Sequence, residues 1–334
     1  MKRELIHKIF NPDGAITEAD VLEVFRFQYE NNFIYKAFTD SLGIVPEYVN
    51  ASRDIPFLPV SFFKTHRVAT TSFQEESVFE SSGTTGSVNS RHFIRSLAVY
   101  KQSYTKCFRQ FYGPPEEWCI IGLLPSYLER SNSSLVVMVN DWIAMSAHPE
   151  SGFYLNEYAK LKETLELLEQ SKQKTLLIGV SFALLDFAEK YPLALQSTII
   201  METGGMKGRR QEMIREELHA VLKEQLQVDA IHSEYGMTEL LSQAYSRGSG
   251  LFFCPPWMKI LLREEDDPLH ITGAAEVTAT RPASGLINVI DLANLYSCSF
   301  IATDDAGRLY DNGSFEVVGR RDNSDLRGCS LMVL

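Results

Sequence analysis

Basic residues are in deficit in this sequence: 32 Lys and Arg stand against 43 Asp and Glu, for a formal net charge of −11. Sequence-independent binding of nucleic acid needs a basic face, so no nucleic-acid partner is expected. Long apolar runs are missing as well. The longest, residues 176–185, is interrupted by Gly179 and Ser181 and is too short to span a bilayer, so no membrane span is expected. The opening Met1-Lys2-Arg3-Glu4-Leu5-Ile6-His7 has no apolar signal region, which points to a cytoplasmic location. Cysteine is scarce: five residues, none in a C-x-x-C and none with histidines at zinc-finger spacing, which argues against structural zinc. In a reducing compartment they are expected as free thiols. Cys107, Cys119, Cys254 and Cys298 lie in apolar or strand-like surroundings and read as buried and inert. Cys329 stands apart, close to the last residue. The seven histidines show neither H-E-x-x-H nor a triad spacing.

What is present is an ordinary soluble composition, 45% hydrophobic and 22% charged over 334 residues, enough for two domains or one large one. A helix is predicted over 17–41, with Thr17 as N-cap and Asp20 at N3. Prolines at 56 and 59 force extended chain. A helix starting at Ser96 carries Leu97, Tyr100, Tyr104, Phe108 and Phe111 at helical spacing. The run 119–124, ended by Pro125, reads as a strand buried on both faces. A helix near 134–147 follows. From 158 helix and strand alternate: helices at 158–171, 182–190 and 211–226, strands at 175–180, 197–201 and 228–231. Such alternation indicates βαβ units and a parallel sheet. Beyond 250 short extended runs (257–262, 275–279, 286–290, 299–303, 315–318) alternate with turn residues such as Asp311-Asn312-Gly313. The expected organisation is an N-terminal helical segment (1–50), an α/β core (51–250) and a β-rich subdomain with a short tail (251–334).

One stretch organises the rest. Glu80-Ser81-Ser82-Gly83-Thr84-Thr85-Gly86-Ser87 follows an apolar run and packs two glycines, two threonines and three serines into positions 81–87. Glycines let the backbone approach a ligand, and successive N–H groups and hydroxyls can cradle phosphate. It is no Walker A loop, because Gly86 is followed by Ser87 and Val88. Alone it reads rather as a flexible Ser/Gly surface loop. Two further turns close predicted strands: Glu202-Thr203-Gly204-Gly205 and His232-Ser233-Glu234-Tyr235-Gly236-Met237-Thr238-Glu239. Ligands of open α/β sheets bind at the carboxyl ends of strands, so all three stretches are expected to face one crevice. Gly179-Val180-Ser181-Phe182-Ala183 nearly matches a hydrolase nucleophile elbow but lacks the closing glycine, and is read as a structural strand-to-helix turn. Read singly, Thr238 is an N-cap, Glu239 and Asp305 are surface carboxylates, and Tyr235 is a core aromatic.

The order of the motifs carries more than any one of them. Ser82-Gly83-Thr84-Thr85-Gly86, then Tyr235-Gly236-Met237-Thr238-Glu239, then Thr303-Asp304-Asp305-Ala306-Gly307-Arg308, then Gly319-Arg320-Arg321-Asp322 with Arg327-Gly328 resemble the adenylate-forming superfamily of acyl-CoA synthetases, adenylation domains and luciferases. Pro59-Val60-Ser61-Phe62-Phe63-Lys64, the Arg91-His92 ending of the first loop, and Leu124-Pro125-Ser126-Tyr127-Leu128-Glu129-Arg130 look like its acyl-protein synthetase branch of LuxE type, the fatty-acid ligase component of bacterial luminescence. The likeness runs from about residue 50 to the end.

The resemblance implies an α/β adenylate-forming fold without the mobile C-terminal domain of larger relatives. It also implies activation of a carboxylic acid, fatty or aryl, by ATP and Mg²⁺ to an acyl-adenylate. Ser82, Gly83, Thr84, Thr85, Gly86 and Ser87 would cradle phosphates, Glu239 would hold Mg²⁺ and Thr238 would donate to the α-phosphate. Tyr235, with Gly236, would face adenine near Gly204 and Gly205, and Asp305 and Arg320 would contact ribose. Cys329 would carry the acyl group to an acyl-reductase or acyl-carrier partner. Tyr127, Trp142 and Phe182 are candidate walls of the acyl pocket. Departures are Asn89, Ser90 and Arg91 where a lysine is usual, and Asp304 in place of glycine. Lys64, Arg91, His92, Lys207 and Arg209 are candidates for the catalytic cation that the absent domain would supply. Two alternatives stay open: a small phenylacetate-type acyl-CoA ligase, or a nucleotide-binding pseudoenzyme scaffold.

Overall fold

The computed structural model describes residues 2–11, 16–81, 88–124, 132–204, 213–278 and 281–320. The chain opens with α1 (Lys2–Ile9), α2 (Glu18–Asn31) and α3 (Phe33–Ser41). Thr17 caps α2 in the expected box: the Asp20 carboxylate accepts from Thr17 N at 2.8 Å, and the Thr17 hydroxyl accepts from Asp20 N at 3.4 Å. The single helix expected over 17–41 breaks at Asn32. That buried side chain accepts from Tyr35 N at 3.0 Å, capping α3, and donates to Ser297 O at 2.9 Å. These local and long-range bonds win over helix continuation.

Next come β1 (Leu58–Pro59), α4 (Phe62–Thr65), β2 (Ser77–Glu80), β3 (Arg91–Ile94), α5 (Leu97–Tyr112) and β4 (Cys119–Leu123). Then follow α6 (Ser134–Ser146), β5 (Gly152–Phe153), α7 (Tyr158–Gln170), β6 (Thr175–Gly179), α8 (Ser181–Lys190), β7 (Thr198–Thr203), α9 (Arg215–Leu226) and β8 (His232–Tyr235). The closing strands are β9 (Ala244–Ser246), β10 (Leu251–Phe253), β11 (Met258–Arg263), β12 (Ile271–Thr272), β13 (Ala283–Asp291), β14 (Phe300–Leu309) and β15 (Phe315–Arg320).

Strands β4 to β8 form the expected parallel sheet, in the order β5-β4-β6-β7-β8. β4 and β6 are buried along their whole length, as their unbroken apolar runs require. The order reverses at β4, and the carboxyl ends of β6, β7 and β8 lie along one rim. The sheet continues antiparallel through β9, β10, β15, β14, β13, β11 and β12, with β1 paired parallel to β14, so the strands beyond 250 are hydrogen-bonded into the same sheet.

Three expectations are corrected here. The strand placed at 228–231 lies at His232–Tyr235, where Met201 pairs with His232 and Thr203 with Glu234. The apolar residues just before it misled because the strand itself, His232-Ser233-Glu234-Tyr235, is mostly polar. The strand at 275–279 is instead a 3₁₀ turn, Ala274–Glu276, closed by Val277 N donating to Ala274 O at 3.2 Å; Ala and Glu are poor strand formers. The run before the Ser/Gly/Thr stretch is not a parallel-sheet strand but half of a separate antiparallel hairpin, β2–β3, with Glu80 opposite Arg91. Among the described residues, no helix is long and apolar enough to cross a membrane.

Candidate active site

The loop after β8 is where the chain's polar groups gather. Tyr235 ends the strand, and 236–243 lead to β9, whose Ala244 pairs back with Tyr235. A Cβ on Gly236 would come within 2.3 Å of Glu234 Oε1, so glycine alone leaves that carboxylate where it is. The loop is held by buried groups. Asp291, at the end of β13, accepts from Leu241 N (2.7 Å), Ser242 N (3.0 Å), the Ser242 hydroxyl (2.6 Å) and Ala293 N (3.2 Å). Burial pushes its carboxyl up to about 6, and these four donors pull against that.

A second clasp reaches the loop from β3. His92 is buried, with Nδ1 2.8 Å from Thr238 O and Nε2 3.0 Å from Asn294 Oδ1. Asn294 in turn donates to Glu239 O at 2.7 Å. The backbone on both sides of the Thr238–Glu239 peptide is therefore gripped by side chains 146 and 55 residues away in sequence. Burial draws the His92 pKa down to about 4, against two acceptors that favour the charged ring. His92 is thus a neutral clasp at physiological pH, not a free cation.

Glu239 is no surface carboxylate: it is 5% exposed. Burial raises its pKa, while a hydrogen bond with Ser90 and the charges of Arg320 and Lys64 oppose the rise. Thr238 caps no helix; a turn follows it, with Leu240 N donating to Met237 O at 3.1 Å. Mg²⁺ takes one or two carboxylates and completes its shell with phosphate oxygens and water. A single buried carboxylate fits that pattern. Among the described residues no cluster of three or more His, Cys, Asp or Glu could hold a metal by itself.

Tyr235 joins two motifs. Its ring packs edge-on against Phe252 and Phe315, at 6.0 and 5.4 Å, and its hydroxyl donates to Asp305 Oδ2 at 3.0 Å. Tyr235 is a core aromatic with a polar tip, 9% exposed, and little of its face is open to adenine. Asp305 lies opposite Arg320 in the β14–β15 register, with Arg320 Nε 3.8 Å from Asp305 Oδ1. Burial raises the Asp305 pKa; Arg320 and Tyr235 pull it down. Across the rim Gly204 turns with φ of 71°, and its carbonyl accepts from the Ser181 hydroxyl at 2.5 Å, which gives the near-elbow its structural role. Between them Glu234 accepts from the Thr203 hydroxyl, and burial pushes its carboxyl up to about 7.

The structure thus brings together Gly204, Tyr235, Gly236, Thr238, Glu239, Asp305 and Arg320 near the ends of β7, β8 and β15 and the middle of β14. Residues 82–87, Gly205, Lys207, Arg209, Tyr127, Arg321 and Cys329 lie outside the described residues. The flanks of the first loop do reach the site: Ser90 hydrogen-bonds Glu239, and Ser90 N donates to Ser81 Oγ at 2.9 Å. Trp142 is not a pocket wall; it is fully buried against Tyr104 and Phe108, and Phe182 is 2% exposed. Sequence reasoning missed Ser90, Asp291 and Asn294. Polar residues closing the apolar run of β13 were the available signal. The four described cysteines are free, and burial raises the thiol pKa of each, Cys119 to about 11 and Cys298 to about 12.

The fold is that of the adenylate-forming ligases. It matches ATP-bound MatB from Rhodopseudomonas palustris with a TM-score of 0.54 at 15% identity, over 73% of this chain and 47% of that one. It matches 2-hydroxyisobutyryl-CoA ligase, captured in the postadenylation state, with a TM-score of 0.62 at 10% identity, over 92% of this chain and 68% of that one. The chain spans about half the length of MatB. No curated protein shows a significant sequence match. The family model of LuxE, acyl-protein synthetase, matches residues 10–334, and the chain belongs to that family.

Proposed function

We propose that this protein activates a carboxylic acid with ATP and passes the acyl group to a thiol. In the first step a carboxylate oxygen of the acid attacks the α-phosphorus. An acyl–O–P bond forms, the bond from the α-phosphorus to the bridging oxygen breaks, and pyrophosphate leaves with the electron pair. Bound Mg²⁺ would neutralise phosphate charge. Glu239 would hold it, Thr238 would donate to the α-phosphate, and Asp305 with Arg320 would take the ribose hydroxyls. Residues 82–87, flanked by Ser81 and by the Ser90 that hydrogen-bonds Glu239, would cradle the phosphates. In the second step a thiolate attacks the acyl carbonyl and AMP leaves with the bonding pair; the thiol proton has gone to solvent. Cys329 is the candidate thiol, and an acyl-reductase or carrier protein the candidate recipient.

The observation that carries this reading is convergence. Thr238–Glu239, the β3 clasp and the Tyr235–Asp305–Arg320 trio come from segments spread between His92 and Arg320 and meet at one rim. The test is incubation with ATP, Mg²⁺ and a panel of labelled carboxylic acids. Hydroxylamine-sensitive label on wild type and none on Cys329→Ser supports the carrier step. Equal label on both removes Cys329 from it, and acyl-CoA in solution as the main product favours a CoA ligase instead.

A further inference from the structure

The described candidates for a catalytic cation are not equivalent. His92 is neutral and tied to Thr238 and Asn294. Arg91 lies over the Phe93 ring at 5.7 Å, and Arg320, not among those candidates but also acting on Glu239 through its charge, is already paired with Asp305. Lys64 differs from all three. The segment leading to it runs beside β14: Leu58 pairs with Ile301, Pro59 with Ala302, and Val60 N donates to Ala302 O at 2.9 Å, three residues before Asp305. It then turns into α4, where buried Phe63 packs edge-on against His92 at 5.7 Å. That contact ties α4 to the ring that clasps Thr238. Lys64 follows Phe63 directly, is exposed, and acts on the buried Glu239 carboxylate through its charge. Among the described residues its ammonium has no hydrogen-bond or ion-pair partner.

From this placement we infer that Lys64 is a catalytic residue: its ammonium meets the phosphates across from Glu239 and stabilises pyrophosphate as it departs. The role rests on the adenylation reading. When the bond between the α-phosphorus and the bridging oxygen breaks, the electron pair goes to that oxygen, and a donor aimed there lowers the barrier without being consumed. A compact ammonium on a flexible stem follows a leaving group better than a planar fork would.

Three measurements on Lys64→Met and Lys64→Arg test this: acid-dependent ATP–pyrophosphate exchange, and calorimetric titration with Mg-pyrophosphate and with AMP. Lys64→Met is expected to lower exchange kcat by about 100-fold or more. It should weaken Mg-pyrophosphate binding by about tenfold, with AMP affinity changed by less than about twofold. Lys64→Arg should recover part of the loss. Exchange within about threefold of wild type, or a raised ATP KM with kcat intact, overturns the assignment. Equal pyrophosphate affinity in wild type and Lys64→Met overturns it even where no acid in the panel supports exchange. Wild type that binds neither ATP nor pyrophosphate instead brings down the adenylation reading, and this inference with it.

Discussion

His92→Phe keeps the ring and removes its two nitrogens, which isolates the clasp on the Thr238–Glu239 loop. The ring is 1% exposed and packed edge-on by Phe63, so phenylalanine fits the space. Thr238 O and Asn294 Oδ1 both accept, at 2.8 and 3.0 Å, and a neutral imidazole can donate to only one of them. The variant therefore orphans one buried acceptor, a cost of about 1–3 kcal/mol at pH 7.5. Acid changes the comparison. His92 titrates near 6.5 in the unfolded chain and near 4 when folded, so its folded-state pKa is depressed. Stability that is intact above pH 6.5 is lost as pH falls toward 4, because the unfolded chain takes the proton first. By pH 4.5 this group has cost wild type about 2–3 kcal/mol, and His92→Phe is spared that loss. Urea unfolding at pH 7.5 and pH 4.5, with m unchanged, measures both terms. The variant's deficit should shrink to near zero or reverse at pH 4.5. A deficit that holds or grows in acid would mean that the two acceptors keep the folded ring charged, and the neutral clasp would be wrong.

Tyr235→Phe removes the donor to Asp305 and should raise the ATP KM several-fold, from about 1 kcal/mol per lost hydrogen bond, with kcat for exchange unchanged. Asp305→Ala should weaken ATP binding further and again spare kcat; a fall in kcat with KM unchanged would remove both residues from the ribose site. Replacing Thr84 and Thr85 together by alanine should raise the ATP KM by one to two orders of magnitude, about 1 kcal/mol for each lost hydroxyl donor, and an unchanged KM would leave 82–87 as a linker. Asn294→Leu should lower exchange more than it lowers ATP affinity, because it frees the Glu239 carbonyl and one side of the clasp; equal loss in both would make Asn294 a general packing residue.

What could be read from sequence follows from where each signal is stored. The βαβ alternation was legible because β4 and β6 are buried on both faces and spell unbroken apolar runs. The Thr238–Glu239, Asp305 and Arg320 motifs were legible because each is a short local string. Strand β8 was displaced because His232-Ser233-Glu234-Tyr235 is polar, and its pairing with β7 comes from the register of the sheet. The break at Asn32 depends on Ser297, 265 residues on, and the clasp joins His92 to Asn294, 202 residues on. Such contacts leave no local pattern. Tyr235 shows a third kind of limit: its ring is the core aromatic that the residue type alone suggests, while the hydrogen bond of its hydroxyl to Asp305, 70 residues on, leaves no local pattern.

The central claim is acid activation at the Glu239 rim, and the most direct measurement is Mg²⁺-dependent exchange of labelled pyrophosphate into ATP across a panel of carboxylic acids. Wild type and Glu239→Gln are compared, with the fold checked by circular dichroism. Glutamine keeps the shape but removes the charge that a hard divalent cation needs. The account predicts exchange that requires both an acid and Mg²⁺ in wild type, falling to background in a folded Glu239→Gln. Undiminished exchange in Glu239→Gln, or none in wild type with any acid of the panel, would contradict it.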